Sequence, residues 1–196
     1  MATSFLLKTL GPITALLCGE HFYLRLRPEL APLYARDPGT GLEKAFFFVL
    51  LFNCVVSSVV LLVLGFRVSK ARSECTEIAK SNKDPDAEAR FSYPKLYAEG
   101  FSAEAKKFNC VQRGHQQALE TLTGFIACSL IGGLVFPVSC AMGGALWSVA
   151  RWQWFNGYAS GVPSNRYADF FSRGIWSGYL LQIVAAVSVC VIKLRL

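Results

Sequence analysis

The sequence predicts an all-α integral membrane protein, a bundle of four transmembrane helices preceded by an N-terminal interfacial helix. Three observations lead to this fold class. Of the 196 residues, 53% are hydrophobic and only 17% are charged, whereas soluble domains carry about 25% charged residues. Long uncharged runs interrupt an otherwise basic chain of net charge +7. The basic residues mostly flank those runs, which indicates orientation in a bilayer and attraction to anionic headgroups or ligands rather than nucleic-acid binding.

Two uncharged runs are long enough to cross a membrane as helices. Residues 45–66 comprise 22 residues and carry no charge after Lys44. At about 1.5 Å per residue, this run covers the ~30 Å hydrocarbon core of a bilayer. Residues 174–192 form the second run, which Lys193 and Arg195 close. Both runs predict transmembrane helices.

Two less uniform segments complete the predicted bundle. Residues 110–136 begin polar and become apolar, and residues 137–160 begin with Pro137, a residue type favoured in the first turn of a helix. Each segment contains a pair of adjacent glycines, which is typical of membrane helices that pack closely. We therefore expect four transmembrane helices.

The connections between the predicted helices differ in length and charge. Residues 68–108 form a long charged connection, residues 161–166 form a short basic one, and the turn before Pro137 is uncharged. Because cytosolic connections carry an excess of Lys and Arg, the side that bears the long and the basic connection is predicted to be cytosolic. The N-terminal stretch also contains arginines, and these basic residues count against the predicted orientation.

Residues 1–44 precede the predicted bundle, so we divide the chain into an extension, 1–44, and a membrane domain, 45–196. The apolar patch of the extension is interrupted by Lys8, Gly11 and Pro12, which leaves it short for a span. An interfacial or docking helix is favoured, with a signal, an anchor or an organellar targeting sequence as alternatives.

A polar helix mouth is present at FNCVQRGHQQALET, residues 108–121. On a helix, Arg113, Gln117 and Glu120 lie on one face, at i, i+4 and i+7. An ionisable group at membrane depth is costly unless it faces a partner or a water-filled cavity. Two interpretations stay open: an interhelical ion pair that fixes the register of the bundle, or a polar pocket for a charged ligand.

Three more arginines lie in or near the ends of predicted helices: Arg72 in VSKAR, Arg151 inside the third helix and Arg166 before the fourth. A single arginine at such a place usually anchors the helix at the membrane surface. Together with Arg113, and opposed at depth only by Glu120, they favour a site for an anion with more than one carboxylate. Guanidinium suits that role because it binds carboxylate through two donors and keeps its charge when partly buried.

Other side chains in this region have both a structural and a functional interpretation. Trp154 and Tyr158 fit an aromatic belt at the membrane interface or contacts to a ligand. His115 is expected to be an internal hydrogen-bonding residue rather than a catalytic base. The sequence has no serine elbow, HExxH, phosphate loop or paired catalytic carboxylates, and its seven cysteines lack metal-ligand spacing, so no metal is predicted. Any chemistry would rest on electrostatics, with the reactive group supplied by a substrate.

Four segments carry a more specific resemblance: VSKAR (68–72), YPKLYA (93–98), FNCVQRGHQQALE (108–120) and RWQWFNGYASGVPSNR (151–166). They resemble the membrane-associated eicosanoid and glutathione metabolism (MAPEG) family, and within it the microsomal glutathione transferases of type three. The resemblance runs in order from about Val68 to Arg166. It implies a four-helix bundle in each subunit, a homotrimer, and glutathione bound between subunits near the cytosolic face.

The resemblance also implies that six positions form the glutathione site: Arg72, Arg113, Gln117, Glu120, Tyr158 and Arg166. The first two would hold carboxylates, and Gln117 and Glu120 would hold polar groups of the peptide. Arg166 would face the thiol and stabilise its thiolate, because an adjacent cation lowers the pKa of a thiol from about 8.5. His115, Arg151 and Trp154 are secondary candidates.

The resemblance implies a glutathione transferase activity. It also implies a second activity, that of a glutathione peroxidase. Glutathione would be the co-substrate, without a metal, and the acceptor would be a lipophilic electrophile or a lipid hydroperoxide. Membrane lipid is the expected surrounding and nucleic acid is not an expected partner. The endoplasmic reticulum membrane is the expected location, with a mitochondrial or other organellar membrane as the alternative.

The sequence departs from the family pattern at several positions, and these departures favour functions other than glutathione transfer. Gln117 stands where relatives commonly have Asn, and Trp154 stands where a tyrosine is common. Extra residues precede VSKAR and occupy about 73–92. Thr121 stands where leukotriene synthase has a tyrosine, which argues against that activity. The alternatives are a non-catalytic subunit of a larger, heteromeric membrane complex, whose extensions dock on partner proteins, and a lipid-binding regulator.

Overall fold

The computed structural model describes residues 2–195. Helices account for 79% of the chain, and no strand occurs among the described residues, which confirms the predicted all-α class. The chain divides into two compact units. The first comprises the described residues of Met1–Ser57, Leu122–Ser148 and Gly174–Leu196, and the second comprises Ser58–Thr121 and Val149–Arg173. The division into 1–44 and 45–196 stays a prediction.

Seven α-helices follow one another along the described residues. In chain order they are α1 (Ala2–Phe22), α2 (Ala31–Tyr34), α3 (Phe46–Ser81), α4 (Ala87–Phe91), α5 (Ala103–Gly133), α6 (Pro137–Ala159) and α7 (Ile175–Leu194). Short 3₁₀ turns lie at Leu24–Leu26, Pro28–Leu30, Pro163–Tyr167 and Phe171–Gly174.

Two helical stretches are long and apolar enough to cross a membrane. They are α3 and the stretch Phe171–Leu194, which contains α7, and they coincide with the predicted spans 45–66 and 174–192. The other two predicted spans, 110–136 and 137–160, correspond to helices α5 and α6. The four-helix transmembrane bundle as a whole stays a prediction.

Helix α3 is longer than the apolar run that predicted it. It continues beyond Arg72 to Ser81, so residues 68–81 are helical rather than part of a loop, and Arg72 does not end the helix. The stretch after Arg72 is polar but contains Glu, Ala and Lys, which favour helices. Lys83 has a left-handed backbone, with φ of 58°, which is typical of the residues just after a helix end.

Helix α1 is continuous over 21 residues, although Pro12 cannot donate a backbone hydrogen bond within it. Ile13 and Leu17, one turn apart, are buried in the hydrophobic core of the first unit. There they join Phe136, which precedes α6, and Leu181 of α7. This burial offsets the hydrogen bond that Pro12 removes. The helix predicted in the extension is therefore present, while its interfacial or docking role stays a prediction.

Glu20 joins α1 to the beginning of α6. Its buried carboxylate accepts hydrogen bonds from the backbone N–H groups of Val138, at 2.9 Å, and Ser139, at 2.7 Å. These N–H groups have no acceptor within their own helix, and a helix N-terminus attracts negative charge. The hydroxyl of Tyr34 donates to Glu20 at 3.4 Å. Burial, together with the nearby Glu20 carboxylate, raises the pKa of Tyr34 to about 12.

Polar side chains cross-link α3, α5, α6 and α7 inside the first unit. The Nδ2 group of Asn53 donates to the hydroxyl of Ser129 at 2.8 Å and to the carbonyl of Cys140 at 3.1 Å. The Nε2 group of Gln182 donates to the same carbonyl at 3.0 Å. A Cβ at Gly144 would overlap the side-chain amide of Asn53, so this close approach requires glycine. Asn53 lies in a π-helical part of α3, Leu50–Val56.

The second unit contains the later part of α3, the whole of α4, the beginning of α5 and the end of α6. Its core includes the buried rings of Phe91, Phe108 and Phe155. Asn109 of α5 holds the segment that precedes this helix, because its side chain makes two hydrogen bonds to the backbone of Ala98, at 2.7 and 2.8 Å. The candidate site is built on this framework.

Candidate functional site

Arg113 and Glu120 form an ion pair along the surface of α5. The Nη1 group of Arg113 donates to the Glu120 carboxylate at 2.8 Å, and their side chains are 39% and 46% exposed. Because both residues belong to one helix, the pair does not join two helices, which corrects the expectation of an interhelical pair. Exposed ion pairs contribute little stability. The guanidinium therefore stays available to another carboxylate.

Gln117 contacts an arginine rather than open solvent. Its side-chain carbonyl accepts a hydrogen bond from the fully buried guanidinium of Arg151. A second nitrogen of Arg151 donates to the hydroxyl of Thr121 at 3.0 Å, and the guanidinium lies 5.5 Å from the ring of Trp154. Gln117 and Thr121 are one turn apart on α5, so both reach the same arginine of α6. The secondary candidates Arg151 and Trp154 are therefore neighbours.

Tyr158 lies between an indole and an arginine. Its ring stacks on Trp154, with centroids 5.1 Å apart, and the Arg166 guanidinium lies 5.7 Å from its ring. Arg166 donates to the Pro163 carbonyl at 2.7 Å, which orients its side chain. A Cβ at Gly157 would overlap the backbone of residues 165–166. This glycine therefore allows the 3₁₀ turn that carries Arg166 to pack against α6.

A surface pocket of about 400 Å³ brings some of these residues together. Arg113 and Tyr158 line it, together with Tyr97, Lys106 and Asn109. The phenols and the cations make this cavity suitable for a small ligand that bears carboxylates. Of the predicted glutathione residues, Arg113 and Tyr158 share the pocket, Glu120 pairs with Arg113, and Arg166 contacts Tyr158.

Arg72 lies apart from that pocket. Its buried guanidinium donates to the backbone carbonyls of Phe91, at 2.7 Å, and Lys95, at 2.8 Å. It also lies 4.5 Å from the ring centroids of Tyr93 and Phe108. The arginine thus anchors the end of α4 and the segment that follows it. Helix α4 itself belongs to the extra residues at about 73–92. In this structure, backbone carbonyls occupy the donors that the resemblance assigns to a glutathione carboxylate.

His115 points toward α3. It makes a hydrogen bond to the backbone of Leu61, and its imidazole lies 3.5 Å from the position that a Cβ at Gly65 would take. This contact agrees with an internal hydrogen-bonding role. No substrate-facing role for His115 follows from its position.

Among the pocket residues that were not sequence candidates, three have side chains suited to hydrogen bonding or charge pairing: Tyr97, Lys106 and Asn109. Tyr97 donates a hydrogen bond to Gln116, and Asn109 holds the backbone of Ala98. Tyr97 lies in the YPKLYA motif and Asn109 in FNCVQRGHQQALE. Their membership of these motifs could therefore have made them site candidates. Their side-chain directions depend on how the segment around residue 98 folds back onto α5, which spacing along the chain does not reveal.

The fold is all-helical among the described residues and has two stretches of membrane-spanning length, so it belongs to the class of helical proteins with candidate membrane helices. Within that class, the family model of the MAPEG family matches residues 50–192. This match covers more than half of the chain, so the protein belongs to the MAPEG family. The family is membrane-associated and includes both glutathione transferases and non-catalytic members. The predicted family is confirmed, and the likeness to type-three transferases stays a prediction.

Proposed function

We propose that this protein is a membrane glutathione transferase that conjugates glutathione to lipophilic electrophiles and reduces lipid hydroperoxides. One observation carries the proposal: Arg113 and Tyr158 line a single pocket of the second unit, and Arg166 lies beside Tyr158. Membership of the MAPEG family, which includes glutathione transferases, supports it.

The pocket has the groups that a small anionic peptide requires. Arg113 and Lys106 can each pair with a carboxylate, and the Arg113 fork suits two-point binding. Glu120 lies beside Arg113 and is the matching partner for the ammonium group of the peptide. Tyr97 and Tyr158 add phenol hydroxyls that donate or accept hydrogen bonds.

Arg166 is proposed to stabilise the thiolate of bound glutathione. A fixed cation lowers the pKa of a thiol and so raises the reactive fraction at neutral pH. In the transferase reaction the thiol proton passes to solvent, the sulfur electron pair forms the new C–S bond, and the leaving group departs with its bonding electrons. In the peroxidase reaction two glutathione thiols are oxidised to a disulfide, while the hydroperoxide is reduced to an alcohol and water.

Turnover by an Arg166→Ala variant tests this role. Loss of the cation is expected to lower kcat roughly 10-fold to 100-fold, because each unit of thiol pKa changes the thiolate fraction about tenfold below that pKa. Glutathione affinity should change less than kcat. The measurement is initial-rate kinetics of the purified protein in detergent with a lipophilic chloronitrobenzene electrophile.

Arg36→Ala is the matched control, because Arg36 is an exposed arginine of the first unit that donates to the Gly41 carbonyl. Its kinetics should equal those of the unmodified protein. If Arg166→Ala and Arg36→Ala turn over equally fast, Arg166 does not stabilise the thiolate.

A non-catalytic subunit of a larger membrane complex is the second candidate. Two contacts favour it: Arg72 donates to backbone carbonyls, and Gln117 accepts from Arg151. Both side chains thus make internal contacts where the family pattern implies ligand contacts. Purification from native membranes in mild detergent distinguishes the two candidates. A stoichiometric complex with other proteins, without glutathione affinity, would favour the subunit and contradict the transferase.

We propose a homotrimer of the type-three microsomal class in the endoplasmic reticulum membrane, with a mitochondrial or other organellar membrane as the alternative location. The four helices α3, α5, α6 and α7 would be its transmembrane bundle. The polar mouths of α5 and α6 would then lie on the cytosolic side, where glutathione is available.

A further inference from the structure

An apolar groove separates α1 from α7 in the first unit. It has a volume of about 370 Å³, and apolar side chains from both helices dominate its lining. Val187 and Val191 of α7, which line it, are 55% and 41% exposed. Helix α7 belongs to a stretch that is long and apolar enough to cross a membrane. The groove therefore opens to the surroundings of a membrane helix.

The two helices that form the groove run parallel. Residues 14–22 of α1 line it together with residues 184–192 of α7. A second groove of about 380 Å³ pairs earlier parts of the same helices, residues 8–16 with 177–181. The earlier residues of α1 thus lie beside the earlier residues of α7, and the later residues beside the later ones. The carboxyl ends of both helices therefore lie at the same end of the first groove.

Polar and cationic groups are concentrated toward that end. His21 lines the groove near the end of α1, and its buried Nδ1 atom has no hydrogen-bond partner among the described residues. Arg27 follows α1, Lys193 lies in the last turn of α7 and Arg195 follows α7; all three are exposed. The nearby Glu43 carboxylate is paired with Arg25 at 2.7 Å. The cationic end of the groove thus suits an anionic headgroup, while the apolar lining along the rest of the groove suits a hydrocarbon chain.

We propose that this groove holds one acyl chain of a membrane phospholipid, whose phosphate lies at the His21 end near Lys193 and Arg27. A volume of about 370 Å³ falls within the range of specific small-ligand sites, roughly 300–1,000 Å³. One wall of the groove lies outside the part that matches the family, because α1 precedes residues 50–192. The extension would therefore add a bound lipid to the family fold, independently of any transferase activity.

Photolabelling with a phospholipid tests the proposal directly. The full-length protein is placed in nanodiscs that contain phosphatidylglycerol with a diazirine in one acyl chain, and labelled peptides are identified by mass spectrometry. Labels are expected to concentrate several-fold on residues 14–22 and 184–192 over other exposed apolar surface. Ser188→Phe, which fills the groove from a half-buried position of its lining, should reduce this labelling several-fold. Val191→Phe is a second filling variant, at a more exposed position of the lining.

Leu62→Phe is the matched control, because Leu62 is 59% exposed on α3 and lies outside the groove. It should leave the labelling pattern unchanged. Lys193→Glu leaves the groove open and should weaken labelling by the anionic lipid. Labels spread evenly over α3 and α7 would mean ordinary surrounding lipid and would overturn the proposal. So would cross-links between two copies at residues 14–22 with lipid excluded, because a second copy would then cover the groove.

Discussion

At the scale of single residues, the guanidinium of Arg72 makes its hydrogen bonds to the backbone of its own chain. Two of its nitrogens donate to the carbonyls of Phe91 and Lys95, and its side chain is almost completely buried. Arg72→Ala leaves these carbonyls without their donor, which is expected to destabilise the protein by about 1–3 kcal/mol. The segment 91–101 should also become accessible to protease. Limited proteolysis followed by mass spectrometry checks this expectation.

Lys70→Ala is the control for that variant, because Lys70 lies on the same helix, is 76% exposed and makes an exposed i,i+4 pair with Glu74. It should be cleaved no faster than the unmodified protein. If Arg72→Ala resists protease as well as Lys70→Ala and loses only glutathione affinity, Arg72 is a ligand residue and not an anchor.

Gln117 is one of the residues at which this chain departs from the family pattern. Its carbonyl reaches the guanidinium of Arg151, and shortening it by one methylene in Gln117→Asn should withdraw the acceptor. The expected loss is about 1.5–3 kcal/mol, because the bond is made to a buried charged group. Thermal unfolding in detergent measures it. Gln116→Asn, at the partly exposed neighbour that contacts Tyr97, is the comparison and should be milder.

Equal unfolding temperatures for the two Gln→Asn variants would contradict the contact with Arg151. A gain in glutathione affinity for Gln117→Asn, without loss of stability, would instead place this amide against the ligand, as the family pattern implies.

The types of the site residues could be predicted from the sequence, and their partners could not. Motif spacing correctly placed Arg113, Gln117 and Glu120 along one helix, because the period of a helix is local. It could not show that Arg113 pairs within its own helix or that Gln117 reaches Arg151. Those contacts depend on how α6 lies against α5 and on which rotamers the long side chains adopt.

At the scale of helices, α1 is joined to α6 through the buried carboxylate of Glu20. Glu20→Gln keeps the shape of the side chain but loses its negative charge and one of its two acceptor oxygens. Stability should fall by about 1–3 kcal/mol, because a charge-assisted bond to a helix N-terminus is lost. Thermal unfolding in detergent measures the difference. Glu29→Gln, at an exposed position of the same segment, should leave the midpoint unchanged.

An unchanged midpoint for Glu20→Gln would mean that α1 is not held to α6 by this carboxylate. The segment 1–44 would then behave as the separate extension that the sequence predicts.

Two glycines give opposite expectations for the same substitution. Gly144→Ala would push a methyl group into the amide of Asn53, breaking its bonds to Ser129 and Cys140. The expected cost is about 2–4 kcal/mol from overpacking and lost hydrogen bonds. Gly11→Ala in α1 meets nothing within 4 Å and should stabilise the helix by about 0.5–1 kcal/mol. Paired thermal unfolding curves test both, and two shifts of the same sign would contradict this packing.

Hydropathy predicted the helices that are apolar, and it missed those that are polar. The run 45–66 correctly located most of α3, because an uncharged run of 22 residues is long enough to cross a membrane as a helix. It did not extend to Ser81, because the later residues are charged and favour a helix through propensity alone. Pro12 made α1 look interrupted, and only the burial of Ile13 and Leu17 in the first unit explains its continuity.

At the scale of the whole molecule, the proposed assembly is three identical copies. Native mass spectrometry of protein purified in mild detergent is expected to give a mass three times that of the 21.6 kDa chain, plus bound lipid. The partly exposed Arg113–Glu120 pair is a reason to expect a neighbour, since an ionisable pair facing hydrocarbon would be costly. A single copy within a complex of other proteins would contradict the homotrimer and favour the non-catalytic subunit.

The proposed transferase requires glutathione to bind to the second unit, and isothermal titration calorimetry measures that binding. Glutathione is titrated into the purified, folded protein in detergent, with Arg113→Ala as the comparison. We expect saturable binding by the unmodified protein and at least a tenfold loss of affinity for Arg113→Ala, on the order of 1.4 kcal/mol for one charge-assisted contact. No binding heat by folded unmodified protein, or equal affinity for Arg113→Ala, would contradict it.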